Sequence, residues 1–365
     1  MAHHCSSCPG CRLDDGLLPI SELMGVEAVD SIDLSCRGLG TKSAIIIGAC
    51  VAGNWHLNEL NLSANKLGGE GATALVPAIR HSASLTSIDL RGNSIGSEGA
   101  KALAPALRDS PSLKSINLQY NKLGPEGVNV LAPAIRDNAS VTVVDLRYNN
   151  MNAESATMLA NIAKEKNISL CGITPSQSTA DFRPRNQLFG PFMTSEDAIL
   201  LTADLIVRPS SIASIGKDGL NLKGNRLGNE GWGAIFAAVC SSEASKITSV
   251  DTSSEQISPE GAKLIGQALR DSVNTSMTTI NLEMNRLGPE GAKALAPALR
   301  DTTSLTSIDL GGNLIGSEGA KALAPALRDN TSLTRVELPL NYLTAKDKAL
   351  LSKAVEGRAG FELLL

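Results

Sequence analysis

The chain has 365 residues, 33 Lys and Arg against 37 Asp and Glu, and a net charge of −4. That balance gives no electrostatic case for nucleic acid or an anionic membrane as a partner, and an aromatic content of 3% requires an aliphatic core. The longest apolar run, Ala44 to Gly53, is about half of what a membrane span needs, so no membrane insertion is expected.

Residues 1–28 read as an N-terminal tail and cap. "MAHHCSSCPGC" contains no apolar stretch of the secretory kind. Cys5, Cys8 and Cys11 with His3 and His4 present the ligand types zinc takes. There is no second C-x-x-C, so no metal and no cofactor is expected. Seven cysteines, odd in number and scattered, suit a reducing compartment. A soluble, cytoplasmic protein is the expectation.

Residues 29–173 are periodic. The middle residue of each L-x-x-L-x-L block falls at Ile32, Leu60, Ile88, Ile116 and Val144, in steps of 28. The pattern resumes over residues 219–343 at Leu220, Val250, Ile280, Ile308 and Val336, in steps of 30, 30, 28 and 28. Thr86–Asp109 returns almost unchanged at Thr306–Asp329; Arg91 and Ser94 of the first copy are Gly311 and Leu314 in the second. Within a unit, Leu85, Ile88 and Leu90 carry the alternation of a half-buried strand. "GNSIGSEG" supplies turn residues, and Ser97 and Glu98 suit a helix start. Ala100, Leu103 and Leu107 then repeat at helical spacing. A single strand–turn–helix unit cannot bury its own apolar face, whereas stacked units can. Prolines at 77, 105, 133, 297 and 325 predict shortened or kinked helices, bending away from the sheet.

The pattern L-x-x-L-x-L-x-x-N-x-[LI]-G-x-E-G resembles leucine-rich repeats of the ribonuclease-inhibitor-like subfamily, over about Val29 to Leu343. The resemblance implies an α/β solenoid, a horseshoe with parallel strands on the concave face and helices on the convex face. Asn65, Asn93, Asn121, Asn149, Asn225, Asn285, Asn313 and Asn341 share one position after the strand. They are expected to pair from turn to turn as a structural ladder, with Arg37 and Glu255 as departures.

Three surfaces are candidates for binding a protein partner. On the concave face, Asp33, Asn61, Asp89, Asn117 and Asp145 alternate, then Asn221, Asp251, Asn281, Asp309 and Glu337. Arg91 and Arg147 sit two residues after Asp89 and Asp145, either pairing with them or completing a docking surface to which Tyr120 and Tyr148 add aromatic contact. In residues 174–218 the period fails. Ala180 to Phe182 reads there as a degenerate strand and Ala198 to Val207 as a helix. Phe182, Phe189 and Phe192 with Arg183 and Arg185 form either a contact loop or a packed patch. In residues 344–365, Phe361, Leu363, Leu364 and Leu365 start another strand, which caps the last unit or docks on a partner or second copy.

These features predict a non-enzymatic protein–protein interaction scaffold or adaptor, free or fixed in a larger assembly. The alternative is a regulator of a small GTPase, since the Ran GTPase-activating protein is similar in repeat type. Ribonuclease inhibition fits poorly, because relatives of that kind are rich in Cys and Trp while this chain has 7 and 2.

Overall fold

Each repeat begins with three residues of strand whose middle side chain points inward. Ile88 is buried between half-exposed Ser87 and Asp89, and the same pattern recurs at Ile116, Ile280, Ile308 and Val336. Leu34, Leu62, Leu90 and Leu118 are buried two residues further on, and Leu103, Ala106 and Leu107 close the core from the helix side. The computed structural model describes residues 18–173, 177–183, 192–207 and 212–365. The chain forms two bodies, divided between Gly172 and Ile173.

In the N-terminal body, α1 (Ile20–Leu23) leads into β1 (Ser31–Asp33), α2 (Thr41–Val51) and β2 (Glu59–Asn61). Then follow α3 (Gly68–Ala74), α4 (Val76–His81), β3 (Ser87–Asp89), α5 (Gly96–Asp109) and β4 (Ser115–Asn117). The body closes with α6 (Gly124–Asp137), β5 (Val143–Asp145) and α7 (Ala153–Lys166). The five strands form one parallel sheet in chain order, in register at the 28-residue step: Ile32, Leu60, Ile88, Ile116 and Val144 lie side by side.

The C-terminal body starts with β6 (Ala180–Asp181), α8 (Ser195–Val207), β7 (Ser214–Ile215) and β8 (Leu220–Asn221). It continues through α9 (Gly228–Ser241), β9 (Ser249–Asp251), α10 (Pro259–Arg270), β10 (Thr279–Asn281) and α11 (Gly288–Asp301). The last elements are β11 (Ser307–Asp309), α12 (Gly316–Asp329), β12 (Arg335–Glu337), α13 (Ala345–Ala354) and β13 (Glu362–Leu364). Their sheet runs β13-β12-β11-β10-β9-β7-β8-β6. Here one expected register is wrong. Val250 pairs with Ile215, not Leu220, and Leu220 pairs with Ala180. A tight turn, Gly216 to Gly219, separates two short strands where the spacing implied one.

The helices correct a further expectation and bear out another. Pro105, Pro133, Pro297 and Pro325 lie inside unbroken 14-residue helices; only Pro77 accompanies a break, between α3 and α4. Pro105 is exposed, so the backbone carbonyl it leaves without a donor lies on the side where water can reach it. The helix starts where expected, with Ser97 and Glu98 in the first turn of α5, which begins at Gly96, in the left-handed region at φ 67°, with no side-chain capping bond. The Gly96 N–H instead donates to the Asn121 carbonyl of the next unit at 2.9 Å.

Adjacent helices pack closely because a glycine stands in their first turn. A Cβ on Gly99 would sit 2.3 Å from Ile95 Cγ2 and 3.0 Å from the Gly69 Cα. One on Gly319 would meet Ile315 Cγ2 at 2.3 Å and the Ala292 Cβ at 3.0 Å.

Candidate functional site

The asparagine column lies beneath the strand-to-helix turns. Asn93 Nδ2 donates to the Leu90 carbonyl of its own unit and the Leu62 carbonyl of the unit before, both at 2.9 Å. Its Oδ1 accepts the Leu67 N–H of that earlier unit at 3.4 Å. Asn65, Asn121, Asn149, Asn313 and Asn341 repeat the arrangement. The amides therefore join units by binding backbone, not by pairing with one another, because each is consumed by carbonyls of its own and the preceding unit and by N–H groups of that preceding unit. At Glu255, the departure in this column, Oε1 accepts the Gly224 N–H at 3.0 Å. Burial pushes that carboxyl above its ordinary value. As a carboxylate it has no proton to give the carbonyls that asparagine reaches elsewhere.

Above this layer is the outward strand face. Asp33, Asn61, Asp89, Asn117 and Asp145 stand in one row across the N-terminal sheet. Asn117 Nδ2 donates to Asp89 Oδ2 at 3.3 Å, so the alternation of amide and carboxylate is used. Asp89 is partly desolvated and its carboxyl is pushed up, opposed by the Arg91 backbone N–H at 2.8 Å and the guanidinium charge.

Arg147 and Asp145 behave differently. Arg147 Nε and Nη2 reach Asp145 Oδ1 and Oδ2 at 3.0 and 2.6 Å, and both residues are buried. The segment Ile168–Gly172 runs along β5, with Val144 N–H on the Ser169 carbonyl at 2.8 Å, and closes over them. The structure thus takes Asp145 and Arg147 off the surface, which sequence spacing did not signal. Asp89, Arg91 and Asn117 remain half-exposed.

Tyr120 and Tyr148 stack with ring centroids 4.3 Å apart and planes 8° from parallel. Arg147 lies 5.9 Å from the Tyr148 centroid. Both tyrosines adopt left-handed backbone, φ 55° and 63°, at the turn position filled by Ala64 and Gly92 in earlier units.

In the irregular segment, Phe182 and Phe192 are half-buried. Arg183 pairs with Asp181 at 2.7 Å, and Arg226 lies over the Phe192 ring at 4.1 Å. Arg185 and Phe189 lie outside the described residues, as do Cys5, Cys8, Cys11, His3 and His4. Cys171 and Cys240 are buried, and burial pushes the Cys240 thiol up to about 11. At the far end, Leu363 pairs in register with Val336. Phe361 packs under the Arg358 guanidinium at 4.4 Å, Leu363 and Leu365 are half-buried, and Leu364 is exposed.

Sequence reasoning missed a second set of turn residues. Met284, Leu314, Leu340 and Tyr342 are all exposed and all left-handed. Reading the repeats as columns finds them: Met284 and Leu340 share the column of Tyr120 and Tyr148, and Leu314 and Tyr342 stand where other units carry glycine or polar residues such as Ser94, Lys122 and Asn150. Among the described residues no helix is long and apolar enough to cross a membrane.

The Leucine Rich repeat family matches the chain six times, at residues 53–76, 81–104, 109–132, 137–160, 273–296 and 302–324. No curated protein matches. Among solved structures, the chain is similar to the leucine-rich repeat-containing protein LegL7 of Legionella pneumophila, at 20% identity over 87% of this chain and 95% of that one, TM-score 0.35. It is also similar to actin-binding site 2 of leiomodin-1, at 14% identity over 41% and 87%, TM-score 0.38. A third is the tropomodulin C-terminal domain of Caenorhabditis elegans, at 16% over 40% and 90%, TM-score 0.36.

Proposed function

The chain belongs to the leucine-rich-repeat proteins, and from that premise we propose that it is a non-enzymatic scaffold or adaptor that binds protein through its strand face and the adjoining turns. It acts in the cytoplasm, free or as a fixed subunit of a larger assembly. One observation carries this reading: the Tyr120–Tyr148 stack. Left-handed backbone favours glycine, and a bulky residue there is costly unless something offsets it. Gly92 fills the same position one unit earlier, so the fold does not require an aromatic. Two stacked rings beside the half-exposed Asp89, Arg91 and Asn117 give the rigid, amphipathic contact that protein interfaces favour.

The test is affinity purification from the native cell with the intact chain and with Tyr120→Ala/Tyr148→Ala. A protein retained by the first and lost from the second supports the reading. The same retained proteins in both, or turnover of GTP on a small GTPase by the purified chain, would overturn it.

A further inference from the structure

The two near-identical segments Thr86–Asp109 and Thr306–Asp329 differ only at Arg91/Gly311 and Ser94/Leu314. Both differences fall on the same outward edge: the first removes a cation, and the second replaces a hydroxyl with an apolar side chain. Gly311 has a packing reason, since a Cβ there would lie 3.2 Å from Pro339 Cγ of the next unit; Leu314 has none. Leu314 is 51% exposed and left-handed at φ 59°, while Ser94 takes the same backbone at φ 54°.

The neighbouring units continue the change. Leu314 and Tyr342 occupy one column of the turns, and Met284, Gly312 and Leu340 the adjacent one; adjacent strands lie about 4.8 Å apart. Met284, Leu340 and Tyr342 are 54%, 77% and 79% exposed. The Met284 thioether lies over Gly312, where an added Cβ would meet Sδ at 2.5 Å. Single exposed apolar residues are ordinary, but four on adjoining turns, each in a backbone region that large side chains avoid, are not.

Acidic groups border this strip. Glu283, Asp309 and Glu337 are half-exposed on the strand side. Asp309 is pushed up by burial, then by the charges of Glu337 and Glu283. Arg335 is engaged by Glu337 and Glu362, and Arg286 flanks the upstream end. Gly311 stands where Arg91 faces Asp89 in the first copy, so Asp309 lacks that cation.

We propose that the edge formed by Met284, Leu314, Leu340 and Tyr342, with Glu283, Asp309 and Glu337 beside it, docks a partner protein's segment in which cationic side chains interleave with aliphatic or aromatic ones. The apolar strip takes the latter, and the carboxylates complement the former. This rests on the scaffold reading and names the partner's chemistry at a second surface.

The probe is a phage-displayed random dodecapeptide library selected on the intact chain, with the consensus peptide then titrated onto variants. Leu314→Ser restores the residue that the same left-handed turn accepts at Ser94, and Tyr342→Ser alters an exposed side chain, so each variant keeps its fold. The expected pool is rich in Lys or Arg with Leu, Ile or Phe, and the consensus peptide binds both variants about tenfold more weakly. An acidic pool, or equal binding to the variants, overturns this surface and leaves the scaffold reading standing. An empty selection also overturns it, and the scaffold reading is then decided by the native capture experiment alone.

Discussion

Asn121 accepts the backbone N–H of Asn93, one unit upstream, at 3.0 Å, and donates to the Leu90 and Leu118 carbonyls at 3.0 Å each. All these groups are buried, so losing the amide leaves several of them unsatisfied. Asn121→Ala should destabilise the chain by about 2–4 kcal/mol. Asn121→Asp should cost nearly as much, since a carboxylate keeps the acceptor and loses the donor. Chemical denaturation decides this, and a loss near zero for either variant would show that water replaces the amide.

The buried pair of Arg147 and Asp145 should be intolerant of half-removal. Arg147→Met or Asp145→Asn strands one partner away from water, at about 3–5 kcal/mol. Replacing both with apolar residues should recover most of that loss. A double variant as unstable as the sum of the two single ones would contradict the desolvation argument.

Gly99→Ala forces a methyl group into space held by Ile95 and Gly69. Overpacking of this kind costs about 1–3 kcal/mol. Gly53→Ala, where nothing lies within 4 Å, is the control and should be close to neutral. Equal melting temperatures for the two variants would remove close helix approach as the reason for the glycine column.

Stability should respond to acid with opposite signs at different aspartates. Burial holds Asp309, and likewise Asp89, above the ordinary aspartate value of 3.8. Between the unfolded and folded values the folded chain keeps the proton, so stability falls as pH rises through that window. Asp309→Asn should therefore raise the melting temperature at neutral pH, with the difference vanishing below 3.8. Asp347 is the reverse case: it accepts from Ser317 Oγ at 2.6 Å and Thr344 Oγ1 at 2.7 Å, which hold its carboxyl below 3.8. Its contribution is present above that value and is lost as pH falls through the lowered folded one. Paired melting curves of Asp309→Asn and Asp347→Asn against pH would show the two trends, and parallel profiles would refute them.

The strand residues were legible because their burial has period two and recurs every 28 residues, so Ile88 and Ile116 announce both element and register. The helices were legible for the same reason at Leu103 and Leu107. The register at Leu220 was not, because a four-residue turn, Gly216 to Gly219, separates two strand fragments that spacing merges into one. Nor was the burial of Asp145 and Arg147, which depends on Ile168–Gly172 closing over β5, where Val143 bridges Ser169 at a step of 26 in place of 28. The exposed turn residues Leu314 and Tyr342 needed a comparison down columns, since nothing within their own units marks them.

The asparagine bonds all reach the same way along the chain. Each turn's N–H groups are received by the side chain of the unit that follows, so the stack has a grain. Among these bonds, removing the unit of Asn121 takes two from the turn before it and one carbonyl from Asn149 after it. The strand entrances lean the other way, the Thr142 and Val143 N–H groups both donating back to the Lys114 carbonyl. Each interface in such an array is tied in both directions, by the turns at one end of the strand and by the strand entrances at the other.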